Sequence, residues 1–301
     1  MSTADTQIRG SMTALVTPFR NGEVDWPCLE KLVDRQIDGG TDWLVPLGTT
    51  GESPTLSKPE RDKLLDLVLT RANGRCPVMV GTGSNNTANT IARTKQAAAA
   101  GANAALVVAP SYNRPTQEGL FRHYAAVADA AELPLVLYNV PARTGVNITN
   151  DTVVRLRRQY PNILALKDAT GGVDLTTDLL ARCDITVLSG DDSLTWPFIA
   201  LGAVGAISVV ANLSPALMKR LVDAGLHGDL SKARDLHRKA YAIAAGLARF
   251  GPNPLPIKTA MAAAGLIAEE FRLPLCPLAN EARQEVEALL RRLELLEQPT
   301  V

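Results

Sequence analysis

Asn162-Ile163-Leu164-Ala165-Leu166-Lys167-Asp168-Ala169-Thr170 is an apolar run that ends on a lysine. A short, unbroken apolar run reads as a strand buried on both faces, whereas a half-buried strand would alternate. Pro161 stands just before it, where a missing N–H costs no central ladder bond. Seven more runs match it: Met12 to Val16, Trp43 to Leu47, Val78 to Val80, Ala104 to Ala109, Leu135 to Leu137, Ile185 to Leu188 and Val204 to Val210. The segments between them have helical spacing. Ser57-Lys58-Pro59-Glu60 reads as a capping box, and Gly39-Gly40, Gly101 and Gly202 read as helix ends a few residues before a strand.

Eight βα units suit a closed parallel barrel. An open doubly wound sheet is the rival, and the lack of a nucleotide fingerprint weighs against it: Gly81-Thr82-Gly83 has no third glycine. After Asn212 the strand signal ends. Ser214-Pro215 opens a helix, and Leu230 to Leu247 and Leu278 to Leu296 read as two more. The expected fold is α/β, a (β/α)8 TIM barrel over residues 1–228 with a C-terminal helical appendage over 229–301.

Composition narrows the function classes. A formal net charge of zero and 21% charged residues leave no electrostatic footprint for nucleic acid. No uncharged apolar stretch reaches the length of a membrane span. Met1 to Gly10 carries Asp5, Gln7 and Arg9 and reads as neither signal peptide nor anchor. Cys28, Cys76, Cys183 and Cys276 stand apart with no Cys-x-x-Cys pair, which argues against zinc and a disulfide framework and makes the cytoplasm the expected compartment. His123, His227 and His237 show no ligand spacing, so no metal is expected.

In such a barrel the chemistry lies where the strands finish. Burial among aliphatic side chains disfavours the charged form of an amine, and a free amine attacks carbonyls to give a Schiff base. Lys167 has that placement. Its alternative reading is an ion pair with Asp168, Asp191 or Asp192, and the residues alone leave both open. The loop Gly48-Thr49-Thr50-Gly51-Glu52-Ser53 offers hydroxyls and backbone N–H groups to a carboxylate, yet by itself it is also an ordinary glycine turn. Tyr112 and Tyr138 fall at two other strand ends, as packing residues or as part of a proton relay. Arg143 is a loop charge or a fork for a second carboxylate.

Taken together, the Gly48 to Ser53 loop, Tyr138-Asn139-Val140-Pro141 and Leu166-Lys167-Asp168-Ala169-Thr170 resemble the dihydrodipicolinate synthase and N-acetylneuraminate lyase family of pyruvate-dependent class I aldolases, from about Gly10 to the C-terminus. The resemblance implies that Lys167 forms a covalent imine with pyruvate and that no cofactor is needed. It implies that Thr49, Tyr112 and Tyr138 form the proton relay, Tyr112 reaching into a neighbouring subunit. Thr50 would hold the pyruvate carboxylate, and Gly190 and Ile207 would line the pocket. A homo-oligomer follows, with a dimer needed for the site and a homotetramer expected.

Arg143 in Ala142-Arg143-Thr144-Gly145 matches the synthase branch, where an arginine binds L-aspartate 4-semialdehyde; sialic-acid lyases typically carry an apolar residue there. The expected reaction joins pyruvate to that aldehyde, on the way to diaminopimelate and lysine. Two alternatives stand: an aldolase or hydratase of the same family acting on 2-keto-3-deoxygluconate or N-acetylneuraminate, and a non-catalytic barrel that binds a 2-oxo acid. The resemblance also places Ser111 where lysine-sensitive members carry an aromatic residue, Lys58 and Arg61 where they tend to carry His or similar, and Asn89 where they carry Glu. Added cations and a lost carboxylate imply weak or absent inhibition by lysine.

Overall fold

The computed structural model describes residues 7–296; the N-terminal Met1 to Thr6, part of the stretch read as neither signal nor anchor, and the last five residues lie outside the described residues. Eight parallel strands form: β1 (Gly10–Ala14), β2 (Trp43–Val45), β3 (Met79–Gly81), β4 (Ala104–Val108), β5 (Leu135–Asn139), β6 (Ile163–Asp168), β7 (Thr186–Ser189) and β8 (Gly205–Ser208). They are ordered β2-β1-β8-β7-β6-β5-β4-β3. The ends of that order meet. Leu44 bridges Val78, Leu44 N donates to Pro77 O at 3.0 Å, and Gly81 N donates to Pro46 O at 2.9 Å, so the sheet closes into a barrel.

Eight helices follow their strands: α1 (Trp26–Asp38), α2 (Lys58–Ala72), α3 (Thr87–Ala99), α4 (Gln117–Ala130), α5 (Asn150–Gln159), α6 (Asp174–Arg182), α7 (Thr195–Ala200) and α8 (Pro215–Leu226). The capping box at Ser57 and Glu60 is present. Gly40, Gly101 and Gly202 take positive φ between helix and strand, a conformation that costs glycine little. Beyond Gly228 come α9 (Leu230–Ala248), α10 (Leu255–Ala263) and α11 (Asn280–Arg292).

Side chains alternate between two faces along each strand. One set fills the barrel: Met12, Trp43, Met79, Leu106, Val136, Ala165, Leu188 and Ile207 pack as one cluster. The other set, including Leu44, Val107, Leu137, Leu166 and Val187, packs against the surrounding helices. A third cluster joins α9 to α11 to the barrel's own Val16, Leu32, Val210 and Met218, so the C-terminal helices share a core with it.

Two elements depart from the reading of the sequence. A hairpin pairs Phe19–Arg20 with Glu23–Val24. Strands of two residues carry no periodicity, so nothing in the sequence announces them. Helix α10 also went unread because Pro252, Pro254 and Pro256 make the segment look like a loop; Pro256 sits in the first turn, where its missing N–H breaks no helical bond.

Candidate active site

Lys167 lies on β6 with the parity of Ala165, whose side chain packs inside the barrel, so it points inward; Asp168 is on the opposite face with Leu166. Lys167 is 5% exposed, and its Nζ sits 4.1 Å from the centre of the Tyr138 ring. The register places Tyr138 of β5 directly beside Lys167, and Leu188 of β7 on its other side. Tyr138 shares the inward parity of Val136 and is 6% exposed.

The three carboxylates near Lys167 in sequence are engaged elsewhere. Asp168 accepts from Thr170 N at 2.9 Å, Thr170 Oγ1 at 2.7 Å and Thr176 Oγ1 at 2.7 Å. Asp191 accepts from Ser193 N and Oγ. Asp192 accepts from Val209 N and Val210 N, both at 2.9 Å. Among the described residues Lys167 forms no ion pair, and the tyrosine ring face is its cationic contact. The structural reading of this lysine therefore fails on geometry.

Gly190 follows β7 and closes on the lysine from the other side. A Cβ at this position would lie 2.9 Å from Lys167 Cε, 2.9 Å from Asp168 O and 2.8 Å from Ala169 Cβ, all closer than real contacts. Only glycine leaves room for the lysine side chain here. Ile207 of β8 is buried in the same barrel cluster as Leu188 and Tyr138.

Above the barrel end opens a cavity of about 540 Å³, within the range of small-molecule sites. Thr49, Tyr138, Val140, Arg143, Thr144 and Ser111 are among its lining residues, and no Asp or Glu is. Thr49 begins a 3-10 turn, Thr49–Gly51, whose second residue, Thr50, is buried. Thr17 Oγ1 donates to Gly51 O at 2.7 Å and ties that turn to the segment that follows β1. Arg143 stands on a single helical turn, Pro141–Thr144, that Gly145 ends with φ of +71°. The loop carrying Arg143 is fastened by Asn139, the outward neighbour of Tyr138: its Nδ2 donates to Asn147 Oδ1 and its Oδ1 accepts from Ile148 N. Arg143 Nη2 in turn donates to Asn253 O at 2.7 Å.

The structure thus brings Lys167, Tyr138, Gly190 and Ile207 together at the barrel end, with Thr49 and Arg143 on the cavity wall above. Thr50, Lys167, Gly190 and Ile207 are not among the residues that line that cavity, which Tyr138 joins to the lysine; Gly190 borders a separate hollow with Tyr241 and Asn253. Tyr112 stands apart, 90% exposed with φ of +70°. Positive φ is uncommon for a bulky residue and carries strain. Two residues that the sequence did not single out also bear on the site: Glu52 and Lys258 form a buried pair behind the threonine turn. Among the described residues, no cluster of three His, Cys, Asp or Glu side chains is placed to hold a metal, and no helix is long and apolar enough to cross a membrane.

Comparison with known proteins gives the family and the fold. The Dihydrodipicolinate synthetase family matches residues 7–293. A 4-hydroxy-tetrahydrodipicolinate synthase of Pelobacter propionicus is 47% identical over 290 residues, covering 96% of this chain and 99% of that protein. The enzyme of the same name from Geobacter metallireducens is 47% identical over 291 residues, again covering 96% and 99%. A crystal structure of the chloride-inhibited dihydrodipicolinate synthase of Acinetobacter baumannii, complexed with pyruvate, superposes with a TM-score of 0.93 at 44% identity, covering 96% of this chain and all of that one. With an inward lysine at the end of the sixth barrel strand and matches along nearly its whole length, the chain belongs to the dihydrodipicolinate synthetase family.

Proposed function

We infer that this protein condenses pyruvate with L-aspartate 4-semialdehyde to give 4-hydroxy-tetrahydrodipicolinate, a step toward diaminopimelate and lysine. The observation that carries this reading is a buried lysine without a counter-ion beside a tyrosine, at the strand ends where barrel enzymes do their chemistry. Lys167 Nζ attacks the C2 carbonyl of pyruvate and water leaves, forming an imine. Loss of a methyl proton gives an enamine. Its terminal carbon attacks the aldehyde, whose oxygen takes up a proton. The amine of the bound aldehyde then attacks C2 and displaces Lys167, closing the ring and freeing the enzyme. Metal and cofactor have no step to perform.

In this reading Tyr138 and Thr49 carry protons between the imine and solvent, Thr50 and its turn hold the pyruvate carboxylate, and Gly190 and Ile207 shape the floor. Tyr112 serves a neighbouring subunit; its exposure and strained backbone suit a residue held out toward a partner. A dimer completes each site, and the expected assembly is a tetramer in the cytoplasm.

Turnover with pyruvate and L-aspartate 4-semialdehyde, compared with cleavage of 2-keto-3-deoxygluconate and N-acetylneuraminate, tests the assignment; preference for either sugar acid overturns it. Arg143 is the residue that discriminates. Arg143→Ala is expected to raise KM for the aldehyde about 100-fold, the scale of one charge-assisted fork of roughly 2–3 kcal/mol, with little change in KM for pyruvate. Equal effects on both substrates would contradict this assignment.

Lysine is expected to inhibit weakly or not at all. Asn89, Ser111 and Arg93 line the cavity without any carboxylate to receive an ammonium group. Nearby, Arg61 donates to Ser53 O, and burial together with Arg93 pulls its pKa down to about 10. A lysine titration of initial rates checks this, and strong inhibition at low concentration would disprove it.

A further inference from the structure

Glu52 and Lys258 are 206 residues apart in sequence, yet Lys258 Nζ lies 2.5 Å from Glu52 Oε1. Their side chains are 1% and 0% exposed. The ammonium faces the rings of Phe19 and Phe271, 4.4 and 4.8 Å from their centres, and burial pushes its pKa down against the pull of Glu52. Glu52 Oε2 accepts from Arg272 N at 3.2 Å.

Removing two charges from water is costly, and an apolar pair of similar volume is often at least as stable, so stability is a poor account of such a pair. Its location offers a better one. Glu52 directly follows Thr49-Thr50-Gly51 and holds a left-handed backbone with φ of +52°. Its N–H donates to Thr49 O at 3.1 Å, and its carbonyl accepts from Thr55 N and Thr55 Oγ1. A left-handed glutamate persists only where its surroundings impose that conformation. Here the side chain is clamped at both oxygens. The charged half of the clamp, Lys258, comes from α10, five residues after Asn253, whose carbonyl holds Arg143; the other half is the backbone N–H of Arg272, beyond that helix. One short stretch of the C-terminal segment thus fastens two walls of the cavity, the threonine turn and the arginine.

We propose that Glu52 and Lys258 are positioning residues: through their buried pair, helix α10 sets the orientation of the Thr49-Thr50 turn toward the substrate of Lys167. This rests on the reading of that turn as part of the pyruvate site. The pair touches no reacting atom and acts only through the turn.

The test uses the full-length protein and two variants. E52M/K258M replaces the pair by apolar side chains of similar length, and E52D keeps the charge but withdraws the carboxylate by one methylene. Both are expected to fold, as judged by circular dichroism, and to give the pyruvate adduct at Lys167 under borohydride at saturating pyruvate. Each is expected to raise KM for pyruvate about 10-fold or more and to lower kcat, as misplacement of binding groups does. Wild-type kinetics in either folded variant would overturn the proposal, as would losses in E52D that merely track the fraction of unfolded protein. Failure of the underlying reading looks different: folded wild-type protein would then give no adduct with pyruvate.

Discussion

Lys167→Ala is expected to lower kcat by about 10⁴-fold or more, the scale seen when a catalytic nucleophile is removed. Circular dichroism should show an intact fold. The substitution deletes a buried amine that has no counter-ion, so melting temperature should hold or rise, as it does when a group kept for chemistry is replaced. Pyruvate with borohydride should add one carboxyethyl group to the wild-type protein at Lys167 and none to the variant. An adduct that persists in the variant would move the nucleophile to another residue. No adduct on folded wild-type protein would end the imine mechanism. The ion-pair reading predicts the opposite stability result: removing a paired cation would leave a buried carboxylate uncompensated and cost several kcal/mol.

Gly190→Ala is expected to reduce kcat about 100-fold while the adduct still forms. The added methyl would stand under 3 Å from Lys167 Cε, Asp168 O and Ala169 Cβ. Asp168 O belongs to a ladder strand and Ala169 has no side-chain freedom, so the lysine is the neighbour able to move. A shift of about 1 Å at the reacting nitrogen costs on the order of 10²-fold. Steady-state kinetics checks the size, and thermal melting checks that the barrel is retained. A kcat within twofold of wild type would show that Lys167 has slack the geometry denies it.

Much of this architecture was legible because a parallel barrel buries both faces of each strand. All eight runs are therefore nearly unbroken apolar words, and a lysine ending one of them stands out. Caps and glycines marked the helices for local reasons: Ser57 and Glu60 bond each other's backbone whatever the helix packs against. Glu52 and Lys258 were illegible for the opposite reason. A glutamate in a glycine-rich loop reads as solvated, and so does a lysine near a helix start. Nothing within ten residues of either names the other.

Sequence by itself determined the strand count, the order of the βα units, the chemistry available at the strand ends and the place of Lys167, since all follow from local side-chain pattern and from which residue types carry nucleophiles and acids. Tertiary structure alone decided that Asp168 faces away from Lys167, that Asp191 and Asp192 are held by other donors, that Gly190 makes room for the lysine and that α10 reaches back to the threonine turn. Each of these depends on the register between strands or on contact between distant segments, which closure of the barrel sets and local sequence does not encode.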